Sequence, residues 1–119
     1  MRILVIEDDE AVRKFVCKLL VSDGYNVICA CNGKEGIAAM HNSENISHVI
    51  TDLIMPEKEG IETIGEIRKN WPMVKIIAMS GGGKVGPENY LLIADAIGAH
   101  ATLKKPFGRQ ELLSVIKSL

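Results

Sequence analysis

Neither sign of charge is in marked excess in this chain. Its 14 Lys and Arg nearly balance its 15 Asp and Glu, leaving a formal net charge of −1. The signs are interspersed, so there is no basic field to hold nucleic acid and no basic helix to lie on a membrane. Long hydrophobic runs are missing too. The apolar stretches are far too short to span a bilayer, and Arg2 followed by a short strand-like run is no signal peptide. Repeats, linkers and low-complexity tracts are absent. Cysteine is scarce and odd in number: Cys17, Cys29 and Cys31. Cys29 and Cys31 fall two apart in a strand, on one face and about 7 Å from each other, which suits a disulfide poorly. The three are expected to be small buried hydrophobes in a reducing cytosol.

What is present is a globular composition. The 119 residues allow one domain, 1–119, with a single core, and 47% apolar residues keep it far from the disordered class. Mean hydropathy is +0.15.

Along the chain, apolar runs alternate with helical patterns. Residues 2–6 (RILVI) read as a buried strand, followed by the acids Glu7, Asp8, Asp9 and Glu10 where a helix begins. Val12, Phe15, Val16, Leu19 and Leu20 recur at helical spacing, and Gly24 supplies the stop. Residues 25–30 read as a second strand, and Asn32 caps a short helix through Met40. A third strand covers 49–52 and ends in Asp52, with Pro56 stopping regular structure soon after. Gly60 opens a helix to Asn70, Trp71-Pro72 breaks it, and 74–79 (VKIIAM) form a fourth strand. A glycine-rich stretch from Gly81 to Gly83 follows Ser80. Pro87 starts a helix over 87–97, with Leu91 facing outward as a candidate partner contact. A short fifth strand over 101–104 precedes Lys105-Pro106 and a last helix carrying Leu112, Leu113 and Ile116. The expectation is an α/β fold: a five-stranded parallel doubly wound sheet flanked by five helices.

In such a sheet, chemistry sits at the carboxyl ends of the strands. The first strand delivers Glu7, Asp8 and Asp9, the third Asp52, the fourth Ser80 and the fifth Lys105. With strand order 2-1-3-4-5 these ends converge at the switch point. Clustered carboxylates repel one another unless a cation joins them. An all-oxygen donor set suits Mg²⁺ rather than Zn²⁺, since no His or Cys is placed to bind. A carboxylate beside Mg²⁺, with a lysine and a hydroxyl to hold an incoming anion, is what phosphoryl transfer to aspartate needs. The Gly81–Lys84 run is no phosphate loop, because Ala78 stands where the first glycine is needed and Val85 where Ser or Thr is needed. His41, His48 and His100 are scattered and read as structural or surface residues.

Four motifs in order, ILVIEDD, TDLIMPEKEG, IIAMSG and KKPF, resemble the response-regulator receiver domain of two-component signalling. The resemblance covers essentially the whole chain and implies a flavodoxin-like fold. It also implies that Asp52 accepts a phosphoryl group from a histidine kinase or a histidine phosphotransfer protein. Asp8 would then bind Mg²⁺ directly and Glu7 through water, with Asp52 and the Ile54 carbonyl completing the ligands. Asp9 is better placed to cap the helix. Ser80 matches the switch hydroxyl, and Lys105 the lysine that pairs with the phosphoryl group, before a cis peptide at Pro106. Two departures concern output: Thr102 stands where the family carries an aromatic residue, and the loop after Ser80 is longer and richer in glycine.

The resemblance further implies a cytoplasmic signalling switch rather than an enzyme, catalysing only its own phosphorylation and dephosphorylation. Ending near Leu119, it reads as a stand-alone or isolated receiver. It would be a monomer that signals to a downstream protein, with dimerisation on phosphorylation left open. Two alternatives stand beside this reading. A receiver-fold module could bind without phosphorylation, but the acids, Ser80 and Lys105 are intact. An aspartate-nucleophile phosphatase would want a second carboxylate two residues past Asp52, where Ile54 stands.

Overall fold

A computed structural model of the chain describes residues 2–53, 60–80 and 98–119. The strands are β1 (Arg2–Ile6), β2 (Asn26–Ala30), β3 (Ile46–Asp52), β4 (Lys75–Ser80) and β5 (Ala101–Lys104). Among the described residues the helices are α1 (Glu10–Ser22), α2 (Gly33–Asn42), α3 (Gly60–Asn70) and α4 (Arg109–Lys117). The strands form one parallel sheet in the order β2-β1-β3-β4-β5. The doubly wound expectation is met. The helix expected over 87–97, with Leu91, lies outside the described residues, as do Ile54, Pro56 and the 81–83 glycines.

Each strand side chain points to the face opposite its neighbour's, so buried strands must be apolar on both faces. On one face Leu4, Ile6, Val49 and Ile76 pack with Ile37 and Met40 of α2 and Ile64 and Ile67 of α3. On the other, Ile3, Val5, Ile50 and Ile77 meet Val16 and Leu20 of α1 and Leu112 and Ile116 of α4. Each such Leu or Ile, when fully buried, contributes about 1.5–3 kcal/mol. Gly36 permits α2 to lie close, since a Cβ there would meet Ile6 Cδ1 at 2.3 Å.

Local chemistry sets the helix starts. Asn32 Oδ1 accepts from Glu35 N at 2.8 Å to open α2, and Glu35 Oε1 accepts from Cys31 N at 3.1 Å. Glu111 Oε1 likewise accepts from Gly108 N at 3.4 Å before α4. Gly24, with φ +92°, follows α1 in a conformation that disfavours other residues.

Several details differ from the sequence reading. Phe15 is 48% exposed rather than part of the α1 stripe, because Val16, Leu19 and Leu20 already fill that face. β3 begins at Ile46, straight after Asn45 with φ 63°, a conformation Asn tolerates. The cysteine expectation is corrected. Cys17 and Cys29 are joined in a disulfide between α1 and β2, Cys29 is exposed on the edge strand, and Cys31 is half-buried and free. Helix spacing and strand alternation each describe one element, whereas this pair depends on how two elements dock.

Candidate functional site

Sheet register builds the site. β1 and β3 pair Ile6 with Thr51, so one step further sets Glu7 beside Asp52. β3 and β4 pair Asp52 with Met79, which puts Ser80 one step on, and Ser80 in turn pairs with Lys104 of β5. Backbone hydrogen bonds continue past the strand ends and stiffen this rim. Glu7 N donates to Ala30 O at 3.0 Å, Leu53 N to Met79 O at 3.1 Å and Lys105 N to Ser80 O at 2.7 Å. The Lys105–Pro106 peptide is cis, as the resemblance implies.

Gly60 closes against the same rim. Its N–H donates to Leu53 O at 3.0 Å, and a Cβ there would stand 1.8 Å from the Asp52 carbonyl oxygen. The α3 start therefore approaches Asp52 as only glycine allows.

The side chains converge. Lys105 Nζ donates to Glu7 Oε1 at 2.7 Å and to Asp52 Oδ2 at 3.3 Å. One carboxylate oxygen from each of Glu7, Asp8 and Asp52 lies within 4.8 Å of the others. Glu7 is fully buried, Asp52 half-buried and Asp8 exposed, so the cluster opens to solvent on the Asp8 side. Asp9 is not part of it: its Oδ1 accepts from Val12 N at 3.1 Å and caps α1. Ser80, the buried last residue of β4, extends the strand one residue beyond the sequence expectation. Lys104 is exposed and on the alternate face from Lys105 in strand phase. Thr102 is half-buried opposite Ala78.

Electrostatics follow from this packing. Burial pushes the Glu7 carboxyl up to about 7; the Lys105 hydrogen bond opposes the rise and the nearby Asp52 charge adds to it. Burial alone would lower the Lys105 ammonium. The Glu7 hydrogen bond and the charges of Asp52 and Glu7 outweigh burial and raise it. Glu7 Oε2 is buried without a hydrogen-bond partner, which is costly for a charged oxygen. A hard cation or its bound water would satisfy that atom, and the oxygen-only set fits Mg²⁺ better than a soft metal.

Sequence reading missed one contributor. Arg13 Nη1 donates to the Glu7 carbonyl at 2.9 Å, bracing the acidic corner from α1. The contact of Lys105 to the buried Glu7, shorter than its contact to Asp52, is likewise not readable from the sequence. Periodicity in α1 places Arg13 only on a polar face, and nothing local selects its acceptor.

The three histidines lie away from this rim. His48 is buried with Ser47 Oγ 2.8 Å from Nδ1, His100 Nδ1 accepts from Ile76 N at 3.0 Å, and His41 meets Trp71 edge-on at 4.9 Å.

Comparison with known proteins agrees with the geometry. The chain is 32% identical over 120 residues to the "Transcriptional regulatory protein CpxR homolog" of Haemophilus influenzae, covering 99% of this chain and 49% of that one. The chain spans about half the length of several curated relatives it matches, 48% for CpxR of Klebsiella pneumoniae. A crystal structure of a response regulator receiver domain protein from Clostridium thermocellum superposes with a TM-score of 0.88 at 32% identity, covering 98% of this chain and 91% of that one. A CheY-like receiver from Methanospirillum hungatei gives 0.88 at 30% identity, covering 98% and 90%. The family profile described as "Response regulator receiver domain" matches residues 3–117. With the strand order, the rim acids and the cis-prolyl lysine already in place, this chain belongs to the response regulator receiver domain family.

Proposed function

We propose that residues 1–119 act as one phosphorylation-activated switch in which Asp52 takes a phosphoryl group from a histidine kinase or a histidine phosphotransfer protein. The observation that carries this is the convergence of Lys105 Nζ on Asp52 Oδ2 at 3.3 Å within a rim of three acids. A free Asp52 oxygen attacks phosphorus in line, the bond to the donor's nitrogen breaks, and an aspartyl phosphate forms. The Lys105 ammonium, already within reach, pairs with the new anion. The Ser80 hydroxyl, at the end of the adjacent strand, donates to a phosphoryl oxygen.

Asp8, Glu7, Asp52 and the Ile54 carbonyl are the residues we assign to Mg²⁺. When bound, the ion supplies positive charge against the phosphoryl oxygens. The orphaned Glu7 Oε2 supports that assignment.

Signalling would follow by population shift. Moving a receiver from mostly off to mostly on takes a differential of about 5.5 kcal/mol between its two states. Output is to a downstream protein and the setting is cytoplasmic; no described helix is long and apolar enough to cross a membrane.

The test is to incubate the chain with Mg²⁺ and acetyl phosphate and weigh the intact protein. One phosphoryl adduct, absent without Mg²⁺ and absent in Asp52→Asn, supports the proposal. No adduct would point to a module that binds without phosphorylation, and turnover without any accumulated adduct to a phosphatase.

A further inference from the structure

The receiver chemistry does not use Cys17 or Cys29, yet the fold brings them into a bond across 12 residues of sequence, from the middle of α1 to the edge strand β2. Their positions do not depend on that bond. Val16, Leu19 and Leu20 anchor α1 in the core, and the β1–β2 ladder pairs Cys29 with Val5. The reduced thiols therefore stay opposite each other, and closing the bond is an intramolecular step at high effective concentration. Cys29 is exposed and Cys17 half-buried, so a solution reagent meets Cys29 first.

We propose that Cys17 and Cys29 form a reversible thiol–disulfide exchange site that staples α1 to β2. The reagent is a disulfide, either of the glutathione class or in a thioredoxin-like protein. The Cys29 thiolate attacks one sulfur of the reagent, making a mixed disulfide and releasing one thiolate. The Cys17 thiolate then attacks the Cys29 sulfur, forming the Cys17–Cys29 bond and releasing the second thiolate. Two electrons pass from the protein dithiol to the reagent, and the two cysteine protons end on the two released thiols. In a cytosol kept reduced by glutathione and thioredoxin, disulfides are mostly of this transient kind.

Cys31 is left out. Asn32 Nδ2 lies 3.7 Å from its sulfur, and Glu35, with some burial, raises its pKa, which lowers the thiolate fraction. Arg13, one helical turn before Cys17, donates to the Glu7 carbonyl at 2.9 Å, so the staple fixes the helix that braces the acidic corner.

The test needs no phosphorylation and stands apart from the proposed function. The whole chain is equilibrated at graded ratios of reduced to oxidised glutathione, or with reduced or oxidised thioredoxin. Free thiols are trapped with N-ethylmaleimide and located by intact mass and peptide mapping. Two end states are expected, one with Cys31 alone trapped and one with all three cysteines trapped. In Cys31→Ser both states persist with one fewer adduct. Reduction should lower the melting temperature by about 10 °C, as a staple of this loop length implies. Closure by glutathione disulfide alone identifies the small-molecule source, closure only with oxidised thioredoxin the protein source, and either supports the site. Three trapped thiols at every ratio in natively folded protein, a Cys29–Cys31 or intermolecular pair, or an unchanged melting temperature would each overturn it.

Discussion

Lys105 and Glu7, separated by 98 positions in sequence, meet at 2.7 Å between Nζ and Oε1. The contact is shorter than the one from Lys105 to Asp52, so the lysine rests chiefly on the buried acid. If Asp52 carries a phosphoryl group as proposed, Lys105 would give up part of this contact to pair with it. Glu7 then needs another cation. Under the proposed function, the lysine and a divalent ion would share the task of neutralising the acids.

Removing the lysine exposes that dependence. Lys105→Ala leaves the Glu7 carboxylate without its cation, a loss of about 3 kcal/mol for a largely buried pair broken from one side. The cost is expected at pH 8 without metal and shrinks at pH 6, where Glu7 binds a proton in both proteins. Urea denaturation at the two pH values checks this. A cost equal at both would contradict the assigned pairing.

Glu7 itself gives a pH signature. Its folded pKa, about 7, lies above its ordinary value of 4.5, so the unfolded chain releases this proton first as pH rises. The protonated group's contribution to stability is complete below 4.5 and is lost as pH climbs towards 7. Without metal, Glu7→Gln should exceed wild type in stability above pH 7 and match it near pH 4. Millimolar Mg²⁺ should narrow the gap by stabilising wild type more. Thermal melts with and without the ion measure both effects.

His48 governs a different limb. Burial first, then the Lys75 charge, lowers its pKa below 6.5, so it is neutral in the fold and its Nε2 has no partner. The unfolded chain takes up a proton as pH falls through 6.5, and stability declines from there towards the folded value. His48→Leu should flatten the part of that decline due to this residue. An unchanged slope between pH 6.5 and 5 would contradict the assignment.

Gly60→Ala is a steric test of the rim. The new methyl would sit 1.8 Å from the Asp52 carbonyl oxygen and 2.6 Å from Leu53 Cα, both backbone atoms. A destabilisation of about 3 kcal/mol is expected, typical of severe overpacking. Slower phosphorylation at Asp52 should accompany it. Wild-type stability and rate would show that α3 does not press on this strand end.

Much of this was legible in the sequence because the informative residues are local. RILVI, VITD and KIIAM mark buried strands by composition, and Asp52, Ser80 and Lys105 mark their ends. Parallel order follows from alternation with helices. What escaped depends on two elements docking: the Glu7–Lys105 contact, Arg13 on the Glu7 carbonyl and the Cys17–Cys29 bond. Phe15 misled for a related reason, since a helical stripe defines a face but not how wide the neighbouring surface is.

In the proposed switch Asp52, and neither Asp8 nor Asp9, carries the phosphoryl group. After reaction with acetyl phosphate and Mg²⁺, borohydride reduction converts an aspartyl phosphate to homoserine, which peptide mass spectrometry locates. Homoserine is expected at position 52 alone. Homoserine at position 8 or 9, or none in protein that had gained a phosphoryl adduct, would contradict it.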